Sequence, residues 1–277
     1  MLQRYPNLEY LVMDGGSMDG SVEIIKKYSP WIDYWISESD GGQSAAINSG
    51  LKRGTGTYAT WINSDDLLCK DALTRQAAEI IRDGAASADA KEIFSGICQY
   101  VDATGREISK HQSRIHTLEE LVRIDRIWRA NGHIVQPEVL FPRRLALNVG
   151  GLDPENHNTM DYEFWGKLLI AGARFRYTEV PFGIFREQPE QKTQDVLRQT
   201  QSLVNSAMKL VRQSDEFSET ARNALLDELH QFGVRYDERH WKASGRIARL
   251  GLPREVMLWL RRLWGRGKRM PASEPRK

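Results

Sequence analysis

Tyr58-Ala59-Thr60-Trp61-Ile62-Asn63-Ser64-Asp65-Asp66 is a short run of small, β-branched and aromatic residues that ends on two adjacent carboxylates. Ala59 to Ile62 carry no charge and follow a turn at Gly54 and Gly56, which is the pattern of a buried strand. Such a strand delivers Asp65 and Asp66 to the C-terminal edge of a sheet, where open α/β folds bind ligands. Two carboxylates there suit a hard divalent cation that keeps some of its waters. The same Asn-Ser-Asp-Asp run also suits a turn and helix cap ahead of Leu67. Taken by itself the stretch reads as a cap, and the choice rests on the residues around it.

Upstream, Leu8 to Met13 read as a strand that ends at Asp14. Asp14-Gly-Gly-Ser-Met-Asp-Gly20 is a tight loop into a helix from about Ser21 to Tyr28, with Ser17 or Asp19 able to cap it. Asp-Gly-Gly is also an ordinary turn. Trp31 to Glu38 alternate well enough for a second strand, Gly41-Gly42-Gln43 breaks it, and Ser44 to Leu51 form a helix with Ala45, Ala46, Ile47 and Leu51 toward the sheet. Strand, helix, strand, helix, strand in units of this size implies right-handed crossovers and a parallel, doubly wound α/β sheet.

Downstream, the pattern predicts a helix from Lys70 to Arg82, a strand from Glu92 to Val101, a hairpin turn at Asp102 to Gly105 and a return strand from Arg106 to Lys110. Leu118 to Arg123 are weakly helical, Gln136 to Phe141 fit a short strand, and Val149 to Asp153 form a turn. Met160 to Ala171 is a patterned helix with Phe164, Leu168 and Leu169 on its buried side. Asp161 and Glu163 occupy its first turn, where the helix dipole favours acids regardless of function. Phe175 to Val180 and Phe182 to Phe185 are short extended pieces, and from Gln194 the chain is helical and non-catalytic.

At 277 residues and 40% hydrophobic content the chain can bury a full core, and its net charge of +2 gives no strong electrostatic pointer. Cys69 and Cys98 are its two cysteines, without CxxC spacing, so neither a zinc site nor a disulfide framework is suggested and a reducing cytosol fits. The N-terminus lacks the apolar core of a signal peptide and no apolar run is long enough to span a bilayer, so the chain is expected to be cytoplasmic, soluble or peripheral. From Trp241 to Arg269 nine Lys or Arg face a single acid, Glu255. Within that stretch Val256, Leu260, Leu263 and Trp264 fall on one helical side, which suits either an anionic membrane surface or packing on the catalytic domain with a solvated basic edge. No nucleic-acid-binding motif accompanies the basic residues.

The order Pro6-Asn-Leu-Glu-Tyr10, Asp14-Gly-Gly-Ser-Met-Asp-Gly20, Trp35-Ile-Ser-Glu38, Gly42-Gln-Ser-Ala-Ala-Ile-Asn48, Asn63-Ser-Asp-Asp66, Gly150-Gly-Leu-Asp153 and Met160-Asp-Tyr-Glu-Phe-Trp165 resembles the family 2 glycosyltransferases. The resemblance runs from about residue 5 to residue 193, and its specificity lies in the order of the motifs. It implies a GT-A fold, Rossmann-like and mostly parallel, with a catalytic domain over residues 1–193 and a helical C-terminal extension over 194–277. It implies an inverting hexosyltransferase that moves a sugar from a nucleotide-diphosphate donor of UDP or dTDP type to a saccharide or lipid-linked acceptor. Cell-surface polysaccharide synthesis at the inner face of the cell membrane is the expected setting. An inactive remnant or partner-binding subunit is the alternative.

The resemblance also assigns roles. Asp14 takes the position that contacts the nucleobase, with Ser17, Asp19, Gln43 and Asn48 in the nucleotide-sugar site. Asp65 approaches the ribose and Asp66 holds Mg²⁺ or Mn²⁺. Asp161 aligns with the catalytic base, and Glu163 is the runner-up. Family members usually begin with an apolar strand and a helix ahead of the Pro-Asn-Leu-Glu-Tyr segment, so the chain is expected to bind a nucleotide sugar poorly without them. Members also often carry His where this chain has Gln188 in Phe185-Arg-Glu-Gln, and a basic residue where it has Gly42.

Overall fold

The computed structural model describes residues 3–187 and 196–248. It begins with a parallel pair, β1 (Leu11–Asp14) and β2 (Tyr34–Ser37), in register from Leu11 opposite Tyr34 to Asp14 opposite Ser37. Between them run α1 (Ser21–Tyr28) and a 3-10 turn at Ser29–Trp31, and after them α2 (Gln43–Arg53) lies against β1. This is the right-handed βαβ logic read from the sequence, with boundaries shifted by a few residues at the strand starts.

The larger sheet is mixed. Its strands are β3 (Tyr58–Ala59), β4 (Leu67–Leu68), β5 (Glu92–Val101), β6 (Glu107–His111), β7 (Val139–Pro142) and β8 (Arg174–Arg186), in the order β3-β7-β5-β8-β4 with β6 beside β5. Among the described residues only β1 with β2 and β5 with β8 pair in parallel; β3 with β7, β7 with β5, β8 with β4 and β5 with β6 are antiparallel. The expectation of a mostly parallel sheet is therefore corrected. Hydrophobic periodicity marks a strand but not the direction of its neighbour.

Several local readings also change. The buried strand expected at 59–62 pairs only at Tyr58–Ala59, because the carbonyl of Trp61 accepts from Gln136 Nε2 rather than from a ladder partner. Leu67–Leu68, which lie between the carboxylate run and the helix expected from Lys70, form strand β4, so the alternative of a helix cap ahead of Leu67 is not realised. Residues 136–138 form a 3-10 turn before β7. The two extended pieces near 175–185 are one strand, β8, carried past Pro181 by register shifts against β5 around Ile97. Pro181 is tolerated at that irregularity because it has no N–H to give. Gly96 and Gly183 make the close passage feasible: a Cβ on Gly183 would lie 2.2 Å from the Pro137 carbonyl oxygen, and one on Gly96 2.5 Å from that of Val180.

The remaining helices are α3 (Ala72–Arg82), α4 (Leu118–Val122), α5 (Ile124–Arg129), α6 (Arg143–Asn148), α7 (Met160–Ile170), α8 (Val196–Gln213) and α9 (Glu219–Ala248). Thr117 and Glu120 close a capping box on α4, which starts it cleanly. One apolar cluster joins β5, β7, α4, α7, α8 and α9 through residues such as Phe141, Phe164, Trp165, Ala207 and Leu210. A smaller one packs α3 on Phe94, Leu140 and Phe182. Gly166 lets α7 and α8 approach, since a Cβ there would lie 2.2 Å from Leu210 Cδ1. No helix among the described residues is long and apolar enough to cross a membrane. The amphipathic segment at 253–269 and Gln188 lie outside the described residues.

Candidate active site

Asp14 stands where β1 ends, and its carboxylate is already saturated. Oδ2 accepts from the backbone N–H of Gly16 (3.1 Å) and Ser17 (2.9 Å) and from Ser37 Oγ (2.6 Å), while Oδ1 accepts from Ser17 Oγ. Ser17, then Ser37, hold its pKa down to about 2. Gly16, at a φ of +85°, brings the loop against Ser39, where a Cβ would sit 3.3 Å from the Ser39 amide nitrogen. Asp19 accepts from Ser21 through both its N–H (3.1 Å) and its hydroxyl (2.7 Å), which closes the loop ahead of α1, whose N-cap position is Gly20. The loops 14–20 and 38–42 thus form one edge, and the second leads directly into α2.

At the start of α2, Gln43 Nε2 donates to Asn63 Oδ1 at 2.7 Å, and Asn63 Nδ2 donates to Asp66 Oδ2 at 3.2 Å. The other oxygen of Asp66 accepts the backbone N–H of Arg186 at 3.2 Å, which ties the carboxylate loop to the end of β8. Asp66 is 6% exposed. Burial, with Asp65 adding, pushes its pKa up to about 6 against the Arg186 hydrogen bond. A buried carboxylate raised by its acidic neighbour is one that a cation relieves, and an all-oxygen donor set of two carboxylates fits Mg²⁺ or Mn²⁺ that keeps other oxygen ligands from substrate and water. Among the described residues no group of three or more His, Cys, Asp or Glu forms a complete metal cage.

The next residue of α2, Ser44, donates to Met160 Sδ at 2.9 Å. Met160 opens α7, so Asp161 lies one residue from a contact that starts beside Gln43. Burial raises the carboxyl of Asp161, and its Oδ1 accepts the Tyr162 N–H at 2.8 Å. A chain of short contacts therefore connects Asp66, Asn63, the α2 N-terminus and the α7 N-terminus, residues separated by about a hundred positions in sequence.

Two sequence-named residues turn away from this arrangement. Asn48 uses both ends of its amide on Leu152, donating to its carbonyl at 2.8 Å and accepting its N–H at 2.9 Å, and so fixes the Gly-Gly-Leu turn. Glu163 is 3% exposed, with Oε1 on Lys209 Nζ (2.6 Å) and Oε2 on Asn156 Nδ2 (2.8 Å). Asp153 joins the same lysine at 2.8 Å. Glu163 thus ties α7 to α8, and its proton-accepting oxygens are committed.

The sequence reading does not single out Gln136, Ser37 or Ser44, although each places a motif residue. Their only signal is position, since isolated Gln and Ser side chains carry no pattern until the chain brings their partners together. Arg186 is named there only within its segment, and what holds Asp66 is its backbone N–H.

Residues 1–131 match the family described as Glycosyl transferase family 2, so this part of the chain carries the domain to which the motif order points. An uncharacterized glycosyltransferase of Rickettsia typhi is 26% identical over 182 residues, covering 65% of this chain and 55% of that protein. The chain thus spans about half the length of that curated relative. Among solved structures, S. aureus TarS 1–349 in complex with UDP-GlcNAc superposes with a TM-score of 0.60 at 17% identity, over 82% of this chain and 64% of that one. The mannosyltransferase PcManGT from Pyrobaculum calidifontis, in complex with GDP-Man and Mn²⁺, gives a TM-score of 0.52 at 17% identity, over 95% and 81%. At such identities these structures establish the α/β fold of GT-A type.

Proposed function

We propose that the chain, with its glycosyl transferase family 2 domain, is an inverting glycosyltransferase that moves a sugar from a nucleotide-diphosphate donor to a saccharide or lipid-linked acceptor. The observation that carries this reading is the run of contacts from Asp66 through Asn63 and Gln43, and from Ser44 to Met160 beside Asp161. It holds a cation-type carboxylate and a burial-raised carboxyl at the two ends of one rigid scaffold. We take residues 1–193 as the catalytic unit and the helices beyond 194 as its extension.

In this mechanism the 14–20 loop and the start of α2 seat the nucleotide. Asp14, saturated by its own loop, acts by shaping that loop, and any base contact it makes replaces one of its serine bonds. Asp66, with Asp65 beside it, would hold a divalent cation, and the charge neutralisation this would supply suits a departing diphosphate. Asp161 accepts the proton of the acceptor hydroxyl as its oxygen bonds the anomeric carbon, while the bond from that carbon to the diphosphate oxygen breaks on the opposite face. Burial suits Asp161 to this step, because a raised pKa makes a carboxylate a stronger base. The donors bound by TarS and PcManGT make UDP-GlcNAc and GDP-Man the first candidates.

The test is nucleotide release from a panel of UDP-, dTDP- and GDP-sugars with Mn²⁺, in wild type and Asp66→Asn. Metal-dependent release that the substitution abolishes is expected. Release that survives it unaltered overturns the reading.

A further inference from the structure

A continuous file of aromatic rings runs from the surface to the carboxylate site. Trp128 on α5 stacks on His133 with ring centroids 5.3 Å apart and planes 27° apart. His133 meets His111 at 4.5 Å, His111 meets Tyr100 at 6.2 Å, and Tyr100 meets Phe185 at 5.2 Å. The next residue, Arg186, gives its backbone N–H to Asp66. Three separate pieces of chain supply these rings: the β5–β6 hairpin, α5 with the segment that follows it, and the end of β8.

Packing alone does not account for the outer end of this file. Trp128 remains 55% exposed on a helix of six residues, and Ile108 on the adjoining β6 is 47% exposed. His133, Tyr100 and Phe185 are half-buried and His111 between them is 4% exposed, so the file is partly open toward its two ends and closed at its middle. The His111 Nε2–H donates to the His133 carbonyl at 2.6 Å, which fixes the spacing of the middle rings. Burial, then the neighbouring His111, lowers the pKa of His133 to about 4, so its imidazole is neutral near pH 7. On the same helix as Trp128, Arg126 is exposed and Arg129 is paired with Asp125 at 2.8 Å. An indole that is 55% exposed at the outer end of a ring file leading to a carboxylate site matches the chemistry of a pyranose, which offers C–H faces to stack.

We propose that Trp128, His133, Tyr100 and Phe185 form a track that binds a saccharide chain and leads its end to the Asp66 and Asp161 site. Trp128 is the outer stacking platform, and Phe185 lies nearest the reacting groups. The inference rests on the glycosyltransferase reading for its direction, since that reading supplies the reason an acceptor glycan must reach the carboxylates. It adds the residues that would select a saccharide over a small alcohol.

The experiment retains wild type, Trp128→Ala and Trp128→Phe on an array of defined oligosaccharides in the presence of Mn²⁺ and UDP. In parallel, the nucleotide-sugar panel is titrated against all three. Trp128 is largely exposed, so both variants are expected to fold. Expected are retention of wild type by a subset of saccharides, a loss of about tenfold for Trp128→Ala, equivalent to about 1.4 kcal/mol, and near-normal retention of Trp128→Phe. Nucleotide-sugar affinity is expected to stay within about twofold in both variants. Retention of Trp128→Ala equal to wild type, no retention of wild type by any saccharide, or Trp128-dependent sedimentation with lipid vesicles in place of saccharide binding would each overturn the track. If saccharide retention depends on Trp128 but no nucleotide sugar binds, the transferase reading fails and the saccharide surface stands.

Discussion

Asn48 and Leu152 are joined by two hydrogen bonds, of 2.8 and 2.9 Å, across 104 positions of sequence. The pair locks α2 to the turn that precedes α7, and so sets the distance between the helix that reaches the carboxylate loop and the helix that carries Asp161. Gly151 is shaped to this clamp: its φ is +68°, and a Cβ on it would lie 2.2 Å from Asn48 Oδ1. Asn48→Ala leaves a backbone donor and acceptor without partners and is expected to cost about 1–3 kcal/mol of stability, measured by denaturant unfolding. Asn48→Asp keeps only the acceptor, so it should fall between the two. An alanine variant as stable as wild type would show that the clamp carries no weight.

Asp66→Asn is expected to separate stability from function. The folded pKa, about 6, lies above the ordinary 3.8, so the unfolded state ionises first as pH rises. Stability from this group is therefore full below about 3.8, declines up to about 6 and stays lower beyond it. The neutral asparagine should melt higher at pH 7, by about 1–2 kcal/mol after allowance for solvent screening. It should also lose Mn²⁺ binding, and in wild type Mn²⁺ affinity should rise through a midpoint near pH 6. Calorimetric titrations at pH 5, 6 and 7.5 read both effects.

Asp161→Asn and Glu163→Gln are expected to diverge although the residues lie two apart. Loss of a general base lowers the turnover number by roughly 10²–10⁴. Glu163→Gln removes one of the two charge partners of Lys209, Asp153 being the other, and should act on stability, by roughly 1–3 kcal/mol given the partly exposed lysine, with a much smaller effect on turnover. Initial rates together with thermal melts distinguish the two. Equal losses of turnover would argue that Glu163 takes part in proton transfer.

Glu138 is fully buried, accepts the N–H groups of Ser113 and Val135 through Oε1 at 3.3 Å, and leaves Oε2 without a partner. Burial pushes its pKa from 4.5 to about 8, so it is mostly protonated at neutral pH. Its raised pKa makes wild type lose stability as pH climbs from about 4.5 to about 8. Glu138→Gln removes that slope, and the stability difference should shift toward the variant by up to about 4 kcal/mol between pH 5 and pH 9. A pH-independent difference in midpoint would show that Glu138 does not titrate in this range.

Some of this organisation is legible in the chain. α1 and β5 begin and end where the hydrophobic pattern places them, and α2, α3 and α7 lie within two residues of it. Asp14 and Asp66 stand where the motifs put them, because Asp-Gly-Gly and Asn-Ser-Asp-Asp carry both the turn and the carboxylate in adjacent letters. Asn48, Asp19 and Glu163 read as site residues, and the hydrogen bonds of Asn48 to Leu152 and of Glu163 to Lys209 became visible only with folding. The bond from Ser21 to Asp19 is local, whereas Lys209 lies on a helix that the motif order does not reach.

Sequence by itself determined the identity and order of the chemical groups: a strand-end aspartate, a paired-carboxylate loop, a helix opening on Met-Asp-Tyr-Glu. Their spacing along the chain is local information, carried by turn chemistry and helix periodicity. Tertiary structure decided which groups meet. The antiparallel insertion of β7 beside β5, the passage of β8 over Gly183 and the Ser44 contact to Met160 are long-range pairings that no local propensity encodes. They turn a list of carboxylates into one buried and raised at the sheet edge, one poised on a helix, and one consumed by a lysine.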